Sequence, residues 1–186
     1  MRLILASHSP RRRELLSRIT SDFEVIPSDA PEATAGSPSE RVLASAEAKA
    51  RAVARRERGI IIGADTIVVA NDLVLEKPSS RDDARRMIEQ LSGRSHTVWT
   101  GICVLDTETG AVRSACEETE VRFRPLDGEE IERYLDRDEH RDKAGAYGIQ
   151  GAAAAFVEGI HGDYYNVVGL PICRLVVLLR EIGMRL

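Results

Sequence analysis

Apolar and polar positions along the chain switch repeatedly between a period near two and a period near 3.6. Leu3 to Ser7 opens with an unbroken apolar run, the mark of a buried strand, and Ser9-Pro10 then predicts a helix to about Ile19 with serine as N-cap and proline in the first turn. Phe23 to Pro27 reads as a second short strand. Ser37-Pro38-Ser39-Glu40 spells a capping box, and the alanine-rich stretch after it predicts a long helix to about Arg56. Gly59 to Ala64 is a buried strand, and Ile67 to Leu75 reads as two strands about a tight turn at Asn71-Asp72. Ser80 caps a helix ending at Ser92-Gly93; Thr97 to Leu105 and Ala111 to Phe123 form a long antiparallel hairpin through residues 107–110. Asp127 to Arg137 is helical, Ala153 to Ile160 strand-like, and Pro171 starts a last apolar helix over Ile172 to Ile182. Strand and helix alternate without a repeat, linker or low-complexity tract, which predicts one α/β domain over residues 1–186, a mixed twisted sheet flanked by helices.

Composition changes this picture by exclusion. A chain of 186 residues, 43% hydrophobic, buries a core without metal or disulfide staples. Cys103, Cys116 and Cys173 are an odd number with no C-x-x-C pair, so neither a disulfide framework nor a zinc site is expected and a reducing cytoplasm is the natural compartment. The apolar run before Arg11-Arg12-Arg13 is too short for a signal peptide or membrane span. A net charge of -4 and 4% aromatics disfavour a nucleic-acid partner.

Four clusters carry candidate chemistry. Ser7-His8-Ser9-Pro10-Arg11-Arg12 turns from strand into helix, where backbone N–H groups and the positive end of the helix dipole attract an anion. Arginines in a first turn oppose that dipole, so the run is unfavourable unless phosphate sits there; the bland alternative is a capped helix with a solvated basic turn. Gly63-Ala64-Asp65-Thr66 puts a carboxylate at the end of an apolar strand, either for chemistry or as an ordinary turn residue. Lys49 lies inside the long helix, where a lysine alone reads as a solvated face, and Lys77 is stiffened by Pro78. The fourth cluster is the glycine-rich segment 142–151, in which Tyr147 and Gln150 are candidates to meet a base, followed by segment 162–171. His8, His96, His140 and His161 share no metal spacing and read as structural or exposed.

Six blocks then fall in order: Ser7-x-Ser9-Pro10-Arg11-Arg12, Ala64-Asp65-Thr66, Lys77-Pro78, Leu91-Ser92-Gly93-x-x-His96-x-Val98-x-Thr100, Asp142-Lys143-Ala144-Gly145-x-Tyr147-x-Ile149-Gln150-Gly151 and Asn166-Val167-x-Gly169-Leu170-Pro171. Nearly end to end, the chain resembles the Maf nucleoside triphosphate pyrophosphatases, and the block at 142–151 resembles their dTTP- and UTP-cleaving branch. The resemblance implies a fold like that of the inosine triphosphate pyrophosphatases, a cytoplasmic homodimer and dependence on a divalent cation. It implies Asp65 as general base, Arg11, Thr66 and Gln150 in substrate choice, and Arg12, Glu32, Lys49 and Lys77 as further polar site residues. Ser7 and Ser9 complete the substrate-binding set through the hydroxyls of the phosphate turn.

A cation is expected on physical grounds too. Unit charges about 4 Å apart at an effective dielectric near 20 interact by roughly 4 kcal/mol, so Glu32 and Asp65 would repel a triphosphate unless Mg²⁺ or Mn²⁺ reversed the sign. Asp65 takes the proton, holds the metal, or does both. The rival readings are a non-hydrolytic nucleotide-binding regulator, in which Asp65 has no purpose, and a nucleic-acid-binding protein. Neither G-x-x-x-x-G-K-[ST] nor G-x-G-x-x-G occurs, which sets aside P-loop ATPases and Rossmann dehydrogenases.

Overall fold

The first apolar run forms strand β1 (Leu3–Leu5), and the predicted cap follows it into helix α1 (Pro10–Ser17). In this computed structural model, which describes residues 2–186, there follow β2 (Glu24–Val25), α2 (Pro38–Ala54), β3 (Ile60–Ala70), β4 (Leu73–Leu75), α3 (Arg81–Leu91), β5 (Ser95–Asp106) and β6 (Val112–Phe123). The chain closes with α4 (Gly128–Leu135), β7 (Val157–His161), α5 (Tyr164–Val168) and α6 (Ile172–Glu181). The class is α/β, and the sheet is mixed, as expected. Its order is β2-β1-β3-β5-β6-β7 with β4 on β3; β1 runs parallel to β2 and β3, while β3–β4 and β6–β7 are antiparallel.

Two compact units divide the chain: residues up to Thr66 with Thr100–Glu117 and Gly169–Leu186, and Ile67–Trp99 with Glu118–Val168. In the first, parallel register sets Ile4 against Ile61 and Leu5 against Ile62. Helix α2 begins on the predicted capping box, Ser37 accepting from the Glu40 N–H while Glu40 accepts from the Ser37 N–H at 2.8 Å. Its Ala46, Ala50 and Val53 bury against Ile4, Ile61, Cys103 and Leu105. The approach is close because the strands beneath lack side chains at two points. A Cβ at Gly63 would stand 2.1 Å from the Ala46 carbonyl oxygen, and one at Gly101 2.4 Å from that of Val42. Those glycines lower α2 onto the sheet and bring the polar face of the same helix within reach of β3.

The second unit has an aromatic centre. His96, Phe123, Tyr147, Phe156 and Tyr134 meet edge to face, with centroid separations of 4.8 to 5.8 Å along the chain of contacts. On its surface, Arg81 and Arg85 of α3 clasp Glu132 of α4 at 2.8 and 2.6 Å.

Two expectations are corrected. Residues 59–70 do not break at Gly63-Ala64-Asp65; β3 runs through as one long strand, because glycine there relieves the crowding under α2 rather than ending the strand. Ala152–Phe156 is a 3-10 turn and only Val157–His161 pairs as strand, since an alanine run offers none of the β-branched bulk that packs on a sheet. No helix among the described residues is long and apolar enough to cross a membrane.

Candidate active site

All the predicted site residues except Lys77 and Gln150 belong to the first unit. Ser9 caps α1, its Oγ accepting from the Arg12 N–H, and the Ser9 N–H donates to Ser7 Oγ at 3.1 Å. The first turn of α1 holds no acidic residue to match the dipole, while Arg11 and Arg12 place cationic side chains there. Arg12 is lodged in this turn. Its Nε donates to the Gly169 carbonyl at 2.8 Å, one Nη to Thr66 Oγ1 at 3.0 Å and the other to Ser7 Oγ at 3.4 Å. Burial pushes its pKa down, Asp65 and Glu32 push it back up, and the neighbouring Arg11 lowers it further. The guanidinium is therefore held in place by neutral acceptors and balanced by carboxylates that do not touch it.

The second half of the site is a three-membered ion cluster. Lys49 Nζ, buried in α2, donates to Asp65 Oδ1 at 2.6 Å and to Glu32 Oε1 at 2.8 Å. The solvated-face reading of Lys49 is thus overturned: the glycine-lowered helix points this ammonium at the sheet. Asp65 is 5% exposed, and burial raises its pKa; Lys49 and Arg12 oppose that rise, and Glu32 adds to it. Asp65 sits within β3, not at its end as the strand prediction had it.

Glu32 comes from a loop whose place is set by two residues that sequence reasoning missed. Buried Ser45 accepts the Ala33 N–H at 2.8 Å, and Arg41 Nε donates to the Ala33 carbonyl at 3.1 Å. The available signal was spacing: Arg41, Ser45 and Lys49 recur every four residues and so share one face of α2. Thr66 is also supported from behind, its Oγ1 lying 2.9 Å from that of fully buried Thr100.

In the second unit, Lys77 is exposed beyond β4 and Gln150 is exposed in the glycine-rich segment. The Gly145 N–H donates to the Glu76 carbonyl at 3.3 Å, which ties that segment to the residue preceding Lys77. Tyr147 is buried in the aromatic centre, 5% exposed with its hydroxyl 2.8 Å from His96 Nε2, because a ring of that size is worth more there than in solvent. His96 and His140 are buried while His8 and His161 are exposed, in line with the structural reading of the histidines.

Glu32 and Asp65 are the carboxylates suited to a hard cation. No group of three or more His, Cys, Asp or Glu side chains stands ready for a metal among the described residues. Carboxylate oxygens are the donor chemistry that suits a hard cation, whose remaining positions water and substrate phosphate can fill.

A sequence model of the family described as Maf-like protein matches residues 2–182. A protein of Thermococcus gammatolerans named dTTP/UTP pyrophosphatase is 52% identical over 181 residues, 97% of this chain and 96% of its own. One of the same name from Thermoanaerobacter sp. is 51% identical across the whole of both chains, and one from Clostridium tetani 48% identical across the whole of both. Among solved structures, a nucleoside-triphosphatase, dITP/XTP pyrophosphatase, of Mycobacterium abscessus aligns with a TM-score of 0.46 at 17% identity, covering 74% of this chain and 94% of its own.

Proposed function

The chain belongs to the Maf family, and on that premise we propose that it hydrolyses dTTP and UTP between the α- and β-phosphates, releasing the nucleoside monophosphate and pyrophosphate. The observation that carries the reading is the pairing, within one unit, of a cationic phosphate turn with a buried carboxylate that Lys49 contacts at 2.6 Å. A phosphate binder has no use for Asp65; a hydrolase needs it.

In this reaction water attacks the α-phosphorus, the bond from that phosphorus to the bridging oxygen breaks, and the water proton passes to Asp65. Burial raises the basicity of that carboxylate, and the ammonium of Lys49, 2.6 Å away, opposes that rise. Arg11, Arg12 and Lys49 stabilise the negative charge gathering on departing pyrophosphate, with Ser7 and Ser9 donating at the turn. Glu32 and Asp65 would hold Mg²⁺ or Mn²⁺, which when bound neutralises phosphate charge and polarises the α-phosphate. Thr66, Lys77 and Gln150 are assigned to substrate binding, and Gln150 to the pyrimidine preference by hydrogen bonds to the base edge.

The family match spanning residues 2–182 supports treating both units as parts of one catalytic domain. The same reading makes the protein a cytoplasmic homodimer without a nucleic-acid or membrane partner, in keeping with its net charge of -4. The test is product analysis on a panel of triphosphates with Mg²⁺ or Mn²⁺. Pyrophosphate should be released from dTTP and UTP well ahead of ATP and GTP, and excess EDTA should stop turnover. Orthophosphate as the primary product, or equal kcat/KM across the panel, would contradict the reading.

A further inference from the structure

Arg12 is held by hydrogen bonds to neutral acceptors, Thr66 among them, and the hydrogen-bonded chain does not stop there. A guanidinium has five N–H donors and no acceptor, so the 3.0 Å contact leaves Thr66 Oγ1 no role toward Arg12 but that of acceptor. The second contact of that oxygen, 2.9 Å, is to Thr100 Oγ1. Thr66 is β-branched and has few rotamers open to it in a strand, so two directed hydrogen bonds fix its hydroxyl. Thr100 is itself fixed: it lies in β5, is fully buried, and its neighbour Gly101 is the point at which that strand meets α2. The order of support runs from the packed strand to Thr100, to Thr66, to the guanidinium, whose other anchors are the Gly169 carbonyl and Ser7 Oγ.

We propose that Thr100 is a positioning residue for pyrophosphate release, locking Thr66 and through it aiming Arg12 at the leaving group. Thr100 touches neither substrate nor reacting atoms. Its effect is exerted through a guanidinium that must be in place before charge develops, because donors that reorient during the reaction forfeit most of their benefit. The inference rests on the hydrolase reading, and its test separates the two.

The experiment is calorimetric binding of inorganic pyrophosphate, alongside dTTP turnover, to the parent, Thr100→Val, Thr100→Ser, Thr66→Val and the Thr66→Val/Thr100→Val double variant. Valine keeps the shape of threonine and deletes the hydroxyl, so pyrophosphate affinity should fall about fivefold, the worth of one hydrogen bond, with a matching fall in kcat and little change in KM. Serine, which keeps the hydroxyl, should restore parental values. In the Thr66→Val background the second substitution should add less than twofold, since the link it breaks is already broken. If the valine variant does not fold, Thr100→Cys replaces it in the same cycle. Equal losses from Thr100→Val with and without Thr66, or a serine variant as weak as the valine one, would mark Thr100 as plain packing and overturn the inference alone. A parent that binds no pyrophosphate and cleaves no triphosphate would remove the hydrolase reading and this inference together.

Discussion

Asp65 of the first unit and His96 of the second are buried to nearly the same degree, 5% and 3% exposed, yet they stand in opposite electrostatic circumstances. Burial disfavours the charged form of both. Around Asp65 it is answered by Lys49 and Arg12, so that a carboxylate, an ammonium and a guanidinium are kept together away from water. Around His96 it is answered by nothing: burial is the whole cause of a pKa lowered from 6.5 to about 4, its partner is a neutral tyrosine, and its Nδ1 has no hydrogen-bond partner among the described residues. Charge kept in the interior by dedicated partners marks chemistry, since an apolar substitute would cost less to bury. A neutral ring in an aromatic cluster marks architecture. Both residues lie in blocks that look equally motif-like in sequence, and only their surroundings tell the roles apart.

The comparison breaks most severely at Lys49. Lys49→Met would leave Glu32 and Asp65 facing each other without the cation that reconciles them. Turnover should fall by about a hundredfold or more, and chemical denaturation should show a loss of about 3 kcal/mol, the scale for removing one partner of a buried pair. Parental stability and rate would mean that the ion cluster serves neither fold nor reaction.

A smaller effect belongs to His96. The unfolded imidazole takes a proton near pH 6.5 and the folded one only near pH 4, so this contribution to stability is complete above pH 6.5 and is lost as pH falls toward 4. At 1.36 kcal/mol per pKa unit the loss approaches about 3 kcal/mol across that window in the buried limit, and less where the ring admits water. Denaturation at a series of pH values should show a slope in the parent that Asn at this position, His96→Asn, flattens. An imidazole titrating near 6.5 in the folded protein by NMR would refute the neutral-core assignment.

The contrast also explains what could be read in the sequence. Helix α2, its capping box and the serine caps of α1 and α3 were legible because a cap is decided by residues three positions apart. Ser7 and Arg12 were legible because a strand–turn–helix gathers them through short-range geometry, and Asp65 and Thr66 because the family blocks mark them. Lys49 needed tertiary information: its neighbours are set by two glycines under the helix, one of them on a distant strand. The continuity of β3 through Asp65 was hidden for the same reason, because Gly63 carries the local signature of a strand end while its actual function is close approach. Tyr147 and Gln150 are three residues apart in one loop, one buried and one exposed, a distinction that composition does not carry. Ser45 and Thr100 made no signal as chemistry, since each acts by holding another residue.

The central claim, that Asp65 is held in the interior beside Lys49 in order to activate water, is tested most directly on Asp65→Asn. That variant retains shape and loses basicity. Pyrophosphate release from dTTP and calorimetric affinity for metal-free dTTP should be measured on the same folded preparation. The account predicts turnover lowered by roughly a hundredfold or more, with nucleotide affinity equal to the parent's or higher because one negative charge fewer faces the triphosphate. Near-parental turnover in Asp65→Asn would contradict it.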